Sequence, residues 1–426
     1  MQTYQGLVVA DDLTGAMDTG HEFARRGYAT TVTVREAFDP DGTDVLVVNT
    51  DSRYRSRTDA REAVSAALET RRGHVVYKKV DSTLRGNLAA EIEAALRATD
   101  ADLAVVAPAF PANGRTTACG YHLVDGALVT ETAAGRDADK PVSSPHVPTL
   151  LADCGTPVRH LGVDTVAAGA SAIAEALDAI DAPGVVVCDA VHDVHLDAVA
   201  RGVADSSRSA VYVGSAGLAG AVDLPGAGTN PSPVDPAGDR EVLGVVGSAS
   251  PTTLEQVNAL SGESLVPLDL ERAVEDSAAA AVAAGERCAE SLASRGIAVV
   301  ASVLSAGDVD RALDYGAERG VDDREVRDRV AEALARTATD VWTRRPPGGL
   351  FVTGGAVAIE TVDALGGRGV RLTGREVEPG IPFGTVSGGR ADGTALVTKA
   401  GAFGSAGTIA ACLSALRGSA DVPRRR

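Results

Sequence analysis

Short runs of apolar, β-branched residues alternate along the chain with longer stretches in which alanine, leucine and valine recur at helical spacing. In the N-terminal half the runs 6–10, 44–50, 75–80, 103–107, 185–189 and 210–214 predict strands, and the periodic stretches 58–71, 87–99 and 167–180 predict helices. The alternation stops at 224–240, LPGAGTNPSPVDPAGDR, where four prolines and three glycines leave no period; this reads as a linker. It restarts with strands at 241–247, 297–304, 349–353 and 395–399 and helices at 252–260, 274–295 and 323–343. Strands alternating with helices give βαβ units, so the expected fold is α/β: two α/β domains with mainly parallel sheets and an active-site cleft between them. The expected boundaries are 1–223, a linker at 224–240, a second domain at 241–418 and a frayed tail at 419–426.

Composition narrows the function classes. With 426 residues, 45% apolar and 23% charged, the chain is an ordinary folded one with ample core. A net charge of −18 opposes binding to nucleic acid or anionic lipid, because both are polyanions. No apolar run is long enough to span a bilayer, and the start MQTYQGLVVADD lacks the basic and apolar regions of a signal peptide, so the expected location is the cytoplasm. Only four of the 40 basic residues are lysines, and aspartate outnumbers glutamate 37 to 21. That bias suits a salt-adapted, halophilic surface; a GC-rich genome explains the arginines equally but the net charge less well. Five cysteines without CxxC spacing read as reduced, mostly buried thiols.

In open parallel sheets ligands bind beyond the carboxyl ends of the strands, so the residues following each strand carry the chemistry. Asp11 and Asp12 follow the first strand. Asp12 can cap the next helix, but two adjacent carboxylates also suit sugar hydroxyls, or acceptance of a proton from a hydroxyl nucleophile. Strand alternation turns Asp11 away and leaves Asp12 at the turn, which makes Asp12 the expected proton acceptor and Asp11 and Asp81 its competitors. The second strand runs into Asn49-Thr50-Asp51-Ser52-Arg53 and the third into Lys78-Lys79-Val80-Asp81-Ser82-Thr83-Leu84-Arg85. Arginine forks and a lysine point charge suit a carboxylate, so an acidic substrate is expected, held by Arg53 and Arg85. Lys78 and Lys79 alternate in face, so one of them reaches the site. Asn113 and Arg115, after the fourth strand, are further candidate contacts. Gly214-Ser215-Ala216-Gly217, after the sixth, could offer amides at a helix start.

The second half has a different chemistry. Gly247-Ser248-Ala249-Ser250-Pro251, Thr353-Gly354-Gly355-Ala356 and Thr398-Lys399-Ala400-Gly401-Ala402-Phe403-Gly404 are glycine-bearing turns from strand to helix, where unpaired amides and the helix dipole favour phosphate. Three in one domain suggest a nucleotide site, with Lys399 placed as a phosphate-binding cation. No GxxxxGK[ST], GxGxxG or GxSxG is present, which leaves P-loop ATPases, ordinary dinucleotide folds and serine hydrolases unsupported. His192 and His195 read as a solvated helix face, since no third ligand motif makes them a metal site.

Taken in order, ADDLTGAMDTG, NTDSR, KKVDSTLRGN, PAFPANGRTT, GSASP, TGGAVA, EPGIPFG and TKAGAFG resemble the four-carbon acid sugar kinase family, over about residues 6 to 416. The resemblance implies an N-terminal sugar-acid domain, a C-terminal nucleotide domain, and ATP-dependent phosphorylation of threonate, erythronate or 3-oxo-tetronate at O4. It puts Asp11, Asp12, Arg53, Lys79, Asp81, Ser82 and Arg85 in the sugar-acid motifs, and Ser248, Thr353, Gly354, Gly355, Ala356 and Gly401 in the ATP motifs, with Gly404 in the same final turn. Ala356-Val357 stand where the family usually has Glu or Asp, and Ala402 where glycine is common. Mg²⁺ is the expected companion of ATP, its ligands not assignable from the sequence, and a homodimer is left open. The rival readings are an α/β oxidoreductase or lyase acting on a hydroxy acid, and a non-catalytic sugar-acid sensor.

Overall fold

The computed structural model describes residues 2–34, 38–137, 139–229 and 240–418. The chain divides into two compact units, Met1–Val32 with Asp39–Asn230, and Thr33–Phe38 with Pro231–Arg426. Of the expected linker, 230–239 lie outside the described residues, as does the whole 419–426 tail.

The strands of the first unit are β1 (Thr3–Ala10), β2 (Thr30–Thr33), β3 (Val45–Asn49), β4 (Arg72–Lys79), β5 (Leu103–Ala107), β6 (Arg115–Ala118), β7 (Tyr121–Val124), β8 (Ala127–Leu128), β9 (Val158–Leu161), β10 (Gly184–Cys188) and β11 (Ala210–Gly214). The main sheet runs β2-β3-β1-β4-β11-β5-β10-β9, and β6-β7-β8 form a separate antiparallel sheet. Central strands such as β3 and β5 are buried along their whole length, which is why they are continuously apolar rather than alternating. Pairing is parallel and level at the carboxyl ends: Ala10 is opposite Asn49 on one side and Lys79 on the other, and Gly214 is opposite Lys79. β3 lies on one side of β1 and β4 on the other, so the loops after the three strands emerge together beyond Ala10, where open parallel sheets place their ligand crevice. Leu7, Val9, Leu46, Val48, Ile92, Leu96 and Val106 belong to the core beneath it.

The second unit contains β12 (Val242–Val246), β13 (Leu265–Pro267), β14 (Ile297–Ala301), β15 (Gly349–Thr353), β16 (Gly369–Glu376), β17 (Pro382–Ser387) and β18 (Ala395–Lys399). Their order is β13-β14-β12-β15-β18-β17-β16, parallel from β13 to β18 and antiparallel through β17 to β16. The expected α/β class with mainly parallel sheets is therefore the observed one.

Two expected helices are each broken. The 274–295 stretch is Leu270–Glu275 followed by Ser277–Arg295, because Asp276 is extended and caps the second helix by accepting the Ala279 amide. The 167–180 stretch is Val163–Ala167 and Ala170–Asp178, separated by Gly169 at φ 100°. His195 is not on a solvated face but buried, its Nδ1 accepting the Val191 amide at 3.3 Å, while His192 stays exposed. All five thiols are free, four of them buried and Cys119 exposed. Among the described residues no helix is long and apolar enough to cross a membrane.

Candidate active site

In the first unit the loops after β1, β3 and β4 bring a charged cluster together. Arg53 is the hub. Its Nε and Nη2 donate to the two oxygens of Asp11 at 2.7 and 3.0 Å, and its Nη1 and Nη2 to those of Asp12 at 2.9 and 2.7 Å. Both carboxylates thus converge on one guanidinium, whereas strand alternation had turned Asp11 the other way. The reason is that β1 ends at Ala10, so period-two geometry does not extend to residues 11 and 12. Asp12 also caps the helix Leu13–Ala24, its Oδ1 accepting the Gly15 amide at 3.0 Å. Arg53 was expected to hold a substrate carboxylate; in this conformation its fork is taken up by Asp11 and Asp12.

Electrostatics separates the acids. Burial raises the Asp11 carboxyl, but Arg53, with Lys78 and Lys79, outweighs it and brings it below its ordinary value. Asp81 follows the same pattern: burial pushes up, and Arg53, Arg85 and Lys79 hold it well below the carboxylate range. Asp11 is 2% exposed, whereas the Asp12 side chain is 22% exposed, so Asp12 keeps a solvent-facing side. Arg85 bonds Asp81 through Nε at 2.6 Å and Asp137 through Nη1 at 3.4 Å, and its side chain is 29% exposed. Ser82, half-buried, has a side-chain hydroxyl without a hydrogen bond among the described residues, while its carbonyl meets His122 Nε2.

The two adjacent lysines serve different partners. Lys79 is buried, and its Nζ donates to the Val80 carbonyl at 2.8 Å, which leaves two of its three N–H groups available. A Cβ on Gly15 would lie 2.5 Å from Asp12 Oδ1 and 2.8 Å from Lys79 Nζ, so glycine is what lets the ammonium approach the helix start. Lys78 is instead paired with Glu91 Oε2 at 3.0 Å, both fully buried. Glu91 Oε1 accepts the Ser52 hydroxyl at 2.7 Å, and the Ser52 and Arg53 amides donate to the Asp11 carbonyl. This chain of contacts fixes the loop that carries Arg53. Asp51 and Leu84, in the same loops, have φ of 48° and 64°, a conformation costly for side-chain-bearing residues.

The sequence reading missed Glu91, Asn87, Lys140, Tyr54 and Asp137. Asn87 Nδ2 ties down the carbonyls of Ser52, Arg53 and Arg55, and Lys140 Nζ donates to Asn87 Oδ1 at 3.1 Å. Tyr54 donates to Asp137, beside Arg85. The rarity of lysine was a signal for Lys140, and Asn87 closes the KKVDSTLRGN motif; nothing local marked Glu91, Tyr54 or Asp137. Asn113 and Arg115 lie on the short helix Pro111–Asn113 and on β6, and Arg115 Nη1 donates to the Asn113 carbonyl rather than joining the Asp11–Asp81 cluster. Ser215 caps the helix Ala216–Ala221 and donates to the Ala109 carbonyl at 2.9 Å.

In the second unit three glycine turns lie side by side, because β12, β15 and β18 are neighbours and Val246, Thr353 and Lys399 are in register. Ser250 caps the helix Pro251–Asn258, and Gly354, at φ 102°, precedes the helix Gly355–Ala364. The first-turn amides of Gly355 and Ala356 have no intrahelical acceptor. Gly401 approaches Ser248 so closely that a Cβ there would lie 2.2 Å from Ser248 Oγ. The amides of Gly401, Ala402 and Gly404 make no hydrogen bond among the described residues. The Thr353 hydroxyl is buried without a partner. Lys399 Nζ is surrounded by the carbonyls of Ala400 at 2.8 Å, Gly401 at 3.1 Å and Phe403 at 3.2 Å, and by Thr253 Oγ1 at 3.3 Å. Bare amides with few side-chain charges suit an anionic phosphate chain. Among the described residues no group of three or more His, Cys, Asp or Glu could hold a metal ion.

Residues 6–222 match the family described as sugar-binding N-terminal domain, and residues 243–409 the nucleotide-binding C-terminal domain. The chain is 35% identical over 417 residues to a D-threonate kinase of Salmonella typhimurium, covering 95% of this chain and 96% of that one. It is 38% identical over 422 residues to a D-threonate kinase of Bordetella bronchiseptica, covering 96% and 97%. Other relatives carry the names D-erythronate kinase and 3-oxo-tetronate kinase. A solved chain from Salmonella typhimurium LT2 shares the fold, with a TM-score of 0.78 at 22% identity over 96% of this chain and 98% of that one.

Proposed function

We propose, from the premise that this chain belongs to the four-carbon acid sugar kinase family, how its residues divide the work of phosphorylating a tetronate. The protein is a four-carbon acid sugar kinase, a phosphotransferase with an alcohol group as acceptor. The observation that carries the division is the contrast in strand-end chemistry: charged side chains crowd the crevice of the first unit, and bare amides line that of the second. The first is suited to the sugar acid and the second to ATP, so residues 1–223 are assigned as the acid domain and 241–418 as the nucleotide domain.

In this assignment the substrate carboxylate is held by Lys79, with two uncommitted N–H groups, and by the exposed side of Arg85. Ser82 offers a hydroxyl to the sugar acid. Arg53 holds Asp11 and Asp12 in place. Asp12 accepts the proton of the attacking O4 hydroxyl, because its carboxylate, though also paired with Arg53, keeps a solvent-facing side that a substrate can reach, whereas Asp11 and Asp81 are buried. Transfer then rests on positioning and charge neutralisation rather than covalent chemistry. ATP is assigned to Ser248, Thr353, Gly354, Gly355, Ala356, Gly401 and Gly404. Mg²⁺, usually held by phosphates with few protein ligands, would neutralise phosphate charge; the residues around the glycine turns form no cage for it, and no step here depends on its position. A cytoplasmic, salt-adapted setting completes the reading.

The test is ADP release measured with D-threonate, D-erythronate and 3-oxo-tetronate in turn. Release that depends on one of these acids, with a product phosphorylated at O4, is expected. ADP release indifferent to all three, or cofactor reduction without it, would overturn the assignment in favour of the oxidoreductase or lyase reading.

A further inference from the structure

Lys399 stands at the end of β18, where a phosphate-binding cation was expected, yet its ammonium faces inward. Lys399 is 1% exposed, and among the described residues its ammonium hydrogen-bonds the three carbonyls of Ala400, Gly401 and Phe403 and the Thr253 hydroxyl. Its three N–H groups are saturated by these four acceptors. The helix Pro251–Asn258 reinforces the same side of the loop. Ser250 and Thr253 donate to the Gly401 carbonyl at 2.6 and 2.9 Å, and Gln256 donates to the carbonyls of Phe403 and Ser405 at 3.0 and 2.8 Å. Every carbonyl so gathered turns its peptide plane, and the N–H on the far side of that plane is directed away from the lysine. Of the amides of residues 401–404, those of Gly401, Ala402 and Gly404 are left without acceptors among the described residues.

We propose that Lys399 is a positioning residue for nucleotide: it gathers the carbonyls of the 400–403 loop and thereby presents that loop's amides to the phosphates, without touching them itself. This rests on the assignment of the glycine turns to ATP and deepens it. A consequence is proton-dependent nucleotide affinity. Burial lowers the Lys399 ammonium to about 8, against smaller opposite influences from Cys412 and Glu378. Around it, Cys412 is pushed up to about 12 by burial and stays neutral, and Glu378 is engaged by the Thr408 hydroxyl at 2.6 Å. Above pH 8 the centre of the collar loses its charge and one donor, and the loop loses its organiser. Stability moves the other way: a lysine lowered in the fold is costly while charged, so deprotonation between about pH 8 and the ordinary lysine value stabilises the fold rather than weakening it.

The experiment is ADP binding to the full-length chain by calorimetry from pH 7 to pH 9, a range in which ADP phosphates are already ionised, with melting temperature followed in parallel. Affinity falling roughly tenfold across the range while the melting temperature does not fall is the expected result, since about a tenth of the lysine remains charged one unit above its midpoint and its deprotonation favours the fold. Lys399→Met should bind ADP at least about tenfold more weakly at pH 7, with a flat pH profile and an unchanged KM for the sugar acid. In the nucleotide-free wild type, the amide resonances of Gly401, Ala402 and Gly404 should titrate with the same midpoint. Wild-type ADP affinity that is constant from pH 7 to pH 9, or unmoved amides, overturns the proposal. A wild type that binds no ADP at any pH overturns instead the nucleotide assignment beneath it.

Discussion

Replacing Arg53 with alanine removes the guanidinium that neutralises two carboxylates at once. Asp11, 2% exposed, would keep its charge with only Lys78 and Lys79 nearby, neither in direct contact. Breaking a buried pair by deleting one partner costs about 3–5 kcal/mol. For a unit of this size each kcal/mol moves the melting point by about 2–4 °C, so the first unit's transition should drop by roughly 6–20 °C at pH 7. The pH dependence is more diagnostic than the drop. In the wild type Asp11 lies below the ordinary carboxylate value, so its contribution is present above about pH 4 and is lost as pH falls through the lower folded value. In Arg53→Ala burial becomes the dominant influence and raises Asp11, so the variant loses stability as pH climbs from about 4 through that raised value. The gap between wild type and variant should therefore be widest near pH 7 and narrow by at least about 1 kcal/mol at pH 4.5. Urea unfolding at both pH values measures it, and adding Asp11→Asn to the variant should recover part of the loss. A gap of equal size at both pH values would refute the reasoning.

Three further variants test separate parts of the site. Asp12→Asn keeps a competent helix cap, so its melting temperature should fall by only a few degrees, while kcat drops about 10²–10⁴-fold with ADP affinity unchanged; full activity would reduce Asp12 to a cap. Gly15→Ala forces a Cβ within 2.5 Å of Asp12 Oδ1 and 2.8 Å of Lys79 Nζ, and should cost about 1–3 kcal/mol and raise the KM for the sugar acid in steady-state assays. Gly401→Ala places a Cβ 2.2 Å from Ser248 Oγ, and calorimetry should show weakened ADP binding while sugar-acid KM stays as in the wild type.

Parallel central strands were legible because burial on both faces leaves a continuous apolar run that periodicity cannot disguise: 103–107, 210–214, 349–353 and 395–399 coincide with β5, β11, β15 and β18. Strands missing from the reading are short or mixed in polarity. β9 is partly exposed, and β16 carries Arg371, Arg375 and Glu376 and a register shift near Gly374. Residues directly after a strand could be read as candidates because the sheet itself places them. Their supports could not, since Glu91 comes from the first turn of another helix and Asp137 and Lys140 from a loop 52 to 83 positions away in sequence from the residues they contact. The convergence of Asp11 and Asp12 on one arginine depends on where a strand stops, a boundary that pattern alone does not fix.

The scarcity of lysine has a practical chemical meaning. Lys78, Lys79 and Lys399 are each no more than 3% exposed, and Lys140 is half-buried. An amine-directed ester therefore meets a chain of 426 residues that offers, among its side chains, one accessible primary amine. A fluorophore attached there reports from the start of the helix Leu88–Thr99, beside the Asn87 side chain that holds the Arg53 loop. Amine-coupled immobilisation would likewise tether the molecule at that crevice and obstruct it, so surface-capture binding measurements on this protein call for a thiol or terminal-tag attachment instead.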